Sequence, residues 1–302
     1  MNGKISNFAQ LASLRRYTLS EGRGKGLDII DCDNGKIRFL VNLTKAMDIP
    51  QLWHEGQNMS FLSKNAPEAR GIDFLRRFEG GMLYTCGLDS VGGREGFELH
   101  GNLHNTPAEL IHAECNENGI VIEGVMRDTA LFGQNLVLYR QISSDIGSDT
   151  VTVKDTLINE GFADEPYCLL YHVNVGYPML DSGARIEAEE LSCEERTPFA
   201  KEHIGNRHSM TDDVVGQEET CYFLKLKQPT ISLVNEKIGK RFTLSYSGDT
   251  LPAFVEWKSM ASGDYALGLE PATTELDDRF SYRTLGKKES IEFSLSIKVS
   301  KI

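Results

Sequence analysis

The chain has 302 residues, with 32 Lys and Arg against 44 Asp and Glu, so its formal charge at pH 7 is −12. Its composition, 40% hydrophobic and 25% charged, lies near the globular average and excludes a disordered or fibrous protein. An acidic chain lacks the clustered Lys and Arg that bind a phosphate backbone, so we expect no nucleic-acid partner.

Membrane and export signals are absent from the sequence pattern. No window approaches the roughly 18 consecutive apolar residues of a membrane helix. The N-terminal residues lack the apolar segment of a secretory signal. We therefore expect a cytoplasmic protein without a membrane partner. The six cysteines lie 25 to 54 residues apart, which is typical of reduced thiols rather than of a zinc site or a disulfide scaffold.

The first predicted element is a helical extension over residues 1–16. Ser6 is a candidate N-cap, and Phe8, Leu11 and Leu14 fall on one stripe of an amphipathic helix. After this segment the β signals dominate.

A β-hairpin is predicted next, with a type I′ turn at Asn34-Gly35, because both central residues of that turn need a positive φ. A second short helix is predicted from Pro67 to Phe78, since Pro suits a first helical position and Gly80-Gly81 would end the helix.

Eleven short β-type runs follow one another from Gly119 to the C-terminus. No alternation of strands and helices and no internal repeat is visible, so the pattern predicts an all-β fold of antiparallel sheets in one domain. The last run alternates as a sheet with one wet face requires. Its apolar positions are Ile291, Phe293, Leu295, Ile297 and Val299.

Polar residues interrupt two otherwise apolar strands. Alternation from Tyr167 to Val175 places His172 and Asn174 on one face. In the run that ends at Glu270, the small Ala266 and Gly268 share the face of the glutamate, which leaves room for a ligand. A histidine buried for packing alone and a glutamate that only caps a loop remain the alternatives.

Further candidates are an aromatic residue and a group of histidines. Trp257 alternates with charged neighbours that include Lys258, so an aromatic platform lies beside charge. His100, His104 and His112 have a metal-like spacing, but Gly and Pro interrupt the segment, so we expect no metal. No phosphate-binding loop is present, and we expect no nucleotide cofactor.

Three motifs in order resemble one family. His100-Gly101, then Tyr171 to Pro178, then Leu267 to Pro271, resemble the aldose 1-epimerases, or galactose mutarotases. The runs Phe74 to Gly92 and Glu256 to Pro271 look closest to an uncharacterised branch of that superfamily. The similarity covers nearly the whole chain.

The resemblance implies a galactose mutarotase-like β supersandwich over residues 1–302, with one or two short helices near the N-terminus. It implies that Glu270 is the general base and His172 the general acid at a concave sugar site. His100 matches the histidine of the family's His-Gly motif. Arg76 or Arg77 is the candidate for the family's sugar-binding arginine. Asn174, Trp257 and Lys258 are further candidates for sugar contacts.

The resulting prediction is an isomerase that interconverts the anomers of a free monosaccharide or sugar acid without a cofactor. One histidine and one glutamate suffice for the proton transfers of ring opening. The alternative is a carbohydrate-binding protein on the same fold without turnover. A lyase or hydrolase ranks last, since hydrolysis needs a second carboxylate. Association of two copies as a homodimer is left open.

Overall fold

The computed structural model describes residues 3–302, and β-strands dominate this part of the chain. Its α-helices are α1 (Phe74–Arg77) and α2 (Pro198–His203). Short 3-10 helices cover Phe8–Gln10, Leu103–Asn105, Ile204–Asn206 and Asp277–Arg279. The strands are β1 (Ser13–Thr18), β2 (Asp28–Asp33), β3 (Ile37–Asn42), β4 (Leu52–His54), β5 (Gln57–Asn58), β6 (Tyr84–Leu88), β7 (Glu109–Asn116), β8 (Gly119–Thr129), β9 (Asn135–Ser144), β10 (Thr150–Asn159), β11 (Glu165–Val175), β12 (Arg185–Glu187), β13 (Glu190–Glu195), β14 (Thr220–Leu226), β15 (Thr230–Asn235), β16 (Lys240–Tyr246), β17 (Ala253–Ala261), β18 (Asp264–Ala272), β19 (Arg283–Leu285) and β20 (Ser290–Lys301).

The strands form three antiparallel sheets. The N-terminal sheet has five strands in the order β1-β2-β3-β4-β5. The large sheet has eight strands in the order β12-β15-β16-β20-β10-β9-β8-β7. The site sheet has seven strands, in the order β13-β14-β17-β18-β11-β19, with β6 also paired to β11. The all-β prediction and the antiparallel sandwich are therefore confirmed.

The two faces of the site sheet have different surroundings. In β11, Leu169 and Val173 belong to the main core, where the sheets bury their apolar side chains together. The alternate residues Cys168 and Leu170 belong to a smaller cluster on the opposite face, where loops cover the sheet. His172 lies on this second face, so the predicted alternation along the strand is confirmed.

The N-terminal segment is not the predicted helical extension. Residues Phe8–Gln10 form one 3-10 turn, and β1 already begins at Ser13. The turn is capped by Asn7 rather than by Ser6, because the Asn7 side chain accepts the backbone N–H of Ala9. Strand β1 pairs with β2 along its length, so cross-strand hydrogen bonds satisfy the backbone that a helix would have satisfied internally.

The helix predicted from Pro67 to Phe78 is much shorter, since α1 covers only its final turn. The buried carboxylate of Glu68 accepts both the backbone N–H and the guanidinium of Arg70. A side chain that takes a backbone donor competes with helix formation, and the following Gly71 lowers helix propensity further.

The predicted hairpin between β2 and β3 is confirmed, but its turn differs from type I′. Gly35 has a φ of +89°, whereas Asn34 is not among the residues with positive φ. The buried Asn34 instead accepts the backbone N–H groups of Lys36 and Ile37 and donates to Ser144 of the large sheet. The asparagine therefore ties two sheets together.

Each of the eleven predicted runs contains a strand, but β13, β19 and α2 were missed. Helix α2 begins with a visible signal, because Thr197 caps it through its side chain and Pro198 occupies its first turn. In β13, four of the six residues are only partly buried, so the apolar signal is weak.

Candidate active site

A cavity of about 650 Å³ lies on the loop-covered face of the site sheet. Strands β11, β14, β17 and β18 supply its floor, and loops that include α1 form its walls. Aromatic and apolar side chains line much of it, as is usual for sites that bind small molecules. They include Phe61, Phe74, Phe78, Trp257, Val255 and Leu276.

His172 and Glu270 meet in this cavity, because β11 and β18 are neighbours. Their strands pair with Val173 opposite Leu269, which brings the adjacent side chains together on one face. His172 Nε2 lies 3.2 Å from Glu270 Oε1, and both residues are buried. The structure thus brings together the two residues predicted for acid and base.

The absence of a side chain at Gly268 allows the close approach of His172 and Glu270. A Cβ atom at Gly268 would lie 2.5 Å from Glu270 Oε1, 3.0 Å from His172 Cε1 and 3.1 Å from Trp257 Cε3. Real Cβ atoms do not come within 2.5 Å of a non-bonded atom, so a side chain here would displace the Glu270 carboxylate and crowd the rings of His172 and Trp257. The small residue noted in the sequence therefore gives space to the site's own side chains.

Burial shifts the pKa values of both His172 and Glu270. It lowers the pKa of His172 well below 6.5, with His100 as a further lowering influence. It raises the pKa of Glu270 well above 4.5, with Glu219 as a further raising influence. Both directions favour the uncharged forms of the two side chains.

His100 stands beside this pair in a constrained conformation. Its φ is +63°, a region that bulky residues rarely adopt. The backbone N–H of Gly92 donates to His100 Nδ1 at 3.3 Å, which assigns the proton of the neutral imidazole to Nε2. Burial, followed by the charge of Arg196, lowers the pKa of His100 to about 4. His100 is therefore a neutral donor on the cavity wall, with its ring centroid 5.7 Å from that of His172.

Trp257 also lines the cavity. Its ring centroid lies 5.5 Å from that of His172, and its Nε1 donates to Glu219 Oε2 at 2.6 Å. An indole held in this way presents a flat apolar surface to the cavity.

Three other predicted sugar contacts lie outside the cavity lining. Arg76 is exposed on α1, 3.5 Å from Asp73. Asn174 is buried opposite Gly268 on the neighbouring strand, and its amide donates to the His172 carbonyl. Lys258 alternates with Trp257 and therefore points to the other face, where Nζ donates to the carbonyl of Arg207. Their roles in sugar binding stay predictions.

Arg77, the other candidate for the family's arginine, is also outside the lining. It is buried, and its Nη1 donates to the carbonyl of Ile72.

The sequence reasoning missed Arg196, Cys221 and Glu219, which line the cavity as well. Alternation in β14 could have found Cys221, which shares the cavity face with Phe223. Arg196 directly follows β13, and without that strand nothing in the sequence places it near the site.

Among residues 3–302, no group of three or more His, Cys, Asp and Glu side chains is arranged to hold a metal ion. Within the same part of the chain, no helix has the length and apolar character to cross a membrane.

Comparison with known families adds to this geometry. The family described as a domain of unknown function (DUF4432) matches residues 24–299. The chain belongs to the DUF4432 family. No curated protein matches it.

Solved structures share the fold of this DUF4432 member. A putative aldose 1-epimerase from Klebsiella pneumoniae subsp. pneumoniae is 21% identical, with a TM-score of 0.88 over 97% of this chain and 86% of that chain. A galactose mutarotase-like protein from Clostridium acetobutylicum is 13% identical, with a TM-score of 0.72 over 97% of this chain and 100% of that chain. A putative mutarotase (YeaD) from Salmonella typhimurium is 12% identical, with a TM-score of 0.70 over 96% of this chain and 94% of that chain. These likenesses confirm the predicted galactose mutarotase-like fold.

Proposed function

We propose that the protein is an aldose 1-epimerase-like isomerase, which interconverts the anomers of a free monosaccharide or sugar acid. The observation that carries the proposal is the buried contact between His172 and Glu270 at the base of an aromatic-lined cavity. The likeness to a putative aldose 1-epimerase and a putative mutarotase supports the same reaction class.

The reaction needs one base at the C1 hydroxyl and one acid at the ring oxygen O5. The Glu270 carboxylate removes the proton of the C1 hydroxyl, and the C1=O bond forms as C1–O5 breaks. The electron pair of that bond goes to O5, which takes a proton from the His172 imidazolium. Rotation about C1–C2 then presents the other face of the aldehyde. The same transfers in reverse close the ring to the other anomer.

The proton count of the pair suits this cycle. Ring opening starts from carboxylate and imidazolium and ends with carboxylic acid and neutral imidazole, so the pair carries one proton throughout. The uncharged pair favoured by burial has that same count. Transfer of the proton from Glu270 to His172 across the 3.2 Å contact produces the reactive form. No exchange of protons with solvent is needed during turnover.

His100 and Trp257 support the same reaction as binding groups. The Nε2–H of His100 is a donor for a sugar oxygen. Trp257 provides a surface for the apolar face of the ring. A sugar held by such groups would have its anomeric centre close to the acid and base. Positioning of this kind accounts for much of the rate acceleration by enzymes.

NMR exchange spectroscopy on D-glucose, D-galactose, D-xylose and D-glucuronic acid tests the proposal. We expect at least one of these sugars, or a related one, to show anomer exchange that the protein accelerates in proportion to its concentration. Saturation transfer measured on the same samples reports binding independently of turnover. A sugar that binds without accelerated exchange would favour the carbohydrate-binding alternative.

His172→Asn tests the acid. We expect exchange to slow by about 10² or more, the usual scale for loss of positioned acid catalysis. Combined with Glu270→Gln, the loss should be little larger than that of the poorer single variant, since residues that act as one unit are not additive. Multiplicative losses would argue that the two residues act separately.

A further inference from the structure

Arg196 is a cationic residue on the cavity wall that the proposed reaction does not use. It follows β13 directly, and 29% of its side chain is exposed. Its backbone N–H donates to the carbonyl of Cys221 at 3.0 Å, which extends the β13–β14 pairing by one residue. The side chain is thus anchored at the edge of the sheet that forms the cavity floor.

Asp277 holds one edge of the Arg196 guanidinium. Arg196 Nε donates to one carboxylate oxygen of Asp277, and Nη2 donates to the other at 2.7 Å. Such a two-bond fork fixes both the position and the plane of the guanidinium. Asp277 has a φ of +56°, so the loop is bent at the point where it supplies this carboxylate. Asp277 is the only acidic partner of Arg196 among residues 3–302, and the Cys221 thiol is a further neighbour of the guanidinium.

Arg196 lies at one end of a row of residues that crosses the cavity floor. Cys221 pairs with Trp257, and Trp257 pairs with Gly268. Three strand spacings of about 4.8 Å separate the ends of the row, roughly 14 Å in total. An arginine side chain spans about half of that distance, and the remainder fits one sugar ring over the indole. His172 and Glu270 lie at the Gly268 end.

The charge of Arg196 reaches across this cavity. It opposes the rise in the pKa of Glu270 and lowers the pKa of His100. Cys221 beside it does not neutralise this charge, because burial raises the pKa of the thiol to about 12.

We propose that Arg196 binds an oxygen of the sugar at the end of the ring away from His172 and Glu270, and that Asp277 is the residue that positions it. The inference rests on the proposed function for the identity of the ligand as a sugar. It assigns the affinity for the sugar to the residue that directly follows β13 and to its partner in the loop after β18, separate from the acid and base.

Three variants test the two parts of this proposal. Arg196→Gln removes the charge and the donors, Arg196→Lys keeps the charge without the fork, and Asp277→Asn keeps the arginine but weakens its support. Arg279→Gln is the matched control, because Arg279 lies in the same loop as Asp277 and bonds Glu194 of β13 outside the cavity lining. Circular dichroism and thermal melts establish that each variant is folded.

Dissociation constants are measured by NMR titration with D-glucose, D-galactose and D-xylose, and KM and kcat by anomer exchange. For whichever of these sugars the wild type binds, Arg196→Gln should raise Kd and KM about tenfold or more, with kcat within about threefold. Arg196→Lys and Asp277→Asn should raise Kd by smaller factors, and Arg279→Gln should leave it unchanged. Arg196→Gln should also move the alkaline limb of the pH–rate profile upward, whereas Arg196→Lys should not.

The outcomes separate this inference from the proposed function. A wild type that binds sugar but shows no exchange would overturn the isomerase, while a weaker Kd in Arg196→Gln would still support the arginine. Exchange that depends on Glu270, with an unchanged Kd in Arg196→Gln, would overturn the arginine and leave the isomerase. An effect of Arg196→Gln without one of Asp277→Asn would overturn the positioning role. Absence of binding to all three sugars and to D-glucuronic acid would overturn both parts of the inference.

Discussion

Two neighbouring residues of β11, Tyr171 and His172, point to opposite faces of the site sheet and belong to very different polar clusters. The Tyr171 hydroxyl donates to Asp155, which also accepts two bonds from the buried Arg140. Arg140 Nη1 donates in turn to Asp48. In this core cluster every charged side chain forms hydrogen bonds with a side chain of opposite charge.

The cavity cluster is left incomplete by comparison. His172 Nδ1 and Glu270 Oε1 are buried without a hydrogen bond from any residue of 3–302, although His172 Nε2 is only 3.2 Å from Glu270 Oε1. A buried polar atom without a partner costs about 1–3 kcal/mol. The charged groups of the core cluster are paired, whereas two polar atoms of the cavity pair lack a hydrogen-bond partner among residues 3–302.

The largest expected effect is on the core cluster. Arg140→Met leaves the carboxylates of Asp48 and Asp155 buried without their cation, and loss of one partner from a buried ion pair costs about 3–5 kcal/mol. Urea denaturation should show this loss in the free energy of unfolding. Arg241→Met, which removes an exposed ion pair with Glu187, should cost at most about 1 kcal/mol. Equal losses in the two variants would show that the core cluster has no special weight.

Gly268→Ala should reduce activity more than stability, whereas Arg140→Met mainly reduces stability. The added Cβ displaces the Glu270 carboxylate and crowds His172 and Trp257, so we expect anomer exchange to fall by about 10², since misplacement by about 1 Å can have that effect. The cost in stability should stay within the 1–3 kcal/mol of overpacking. Gly71→Ala meets no atom within 4 Å and is the control. Wild-type exchange in Gly268→Ala would mean that the contact between acid and base is not needed.

The pH dependence of exchange distinguishes the cavity pair from ordinary surface groups. Activity is lost when the pair gains a second proton on His172, whose lowered pKa puts this acid limb well below pH 6.5. Activity is also lost when the pair gives up its proton, and the raised pKa of Glu270 puts this alkaline limb well above pH 4.5. The two apparent values belong to the pair as a unit. A kcat/KM profile with its acid limb near 6.5 would indicate a solvated histidine instead.

The smallest expected effect is that of a chelator. The proposed transfers use side chains alone, so exchange should be unchanged after dialysis against EDTA. Activity that disappears on chelation and returns with one specific divalent ion would require a different mechanism.

Most of the architecture could be predicted from the sequence, because long antiparallel strands carry a clear period of two. His172 and Glu270 could also be predicted as site residues, since each interrupts an apolar alternation and matches a family motif. The placement of Arg196 and Lys258 could not be predicted. Arg196 depends on the weakly patterned β13, and Lys258 needed the alternation around Trp257 to be followed to the opposite face. The predicted local structure was wrong where a side chain such as that of Asn34 or Glu68 accepts a hydrogen bond from a nearby backbone N–H group.

The most direct test of the account is Glu270→Gln, measured for stability, sugar binding and anomer exchange on the same preparation. The amide keeps nearly the same shape but cannot accept the hydroxyl proton. Because it replaces an incompletely bonded carboxyl group, the free energy of unfolding should change by less than in Arg140→Met. Sugar affinity should stay within several-fold of wild type, while exchange slows by about 10² or more. Exchange of a confirmed substrate at the wild-type rate would contradict the account and leave Glu270 without a catalytic role.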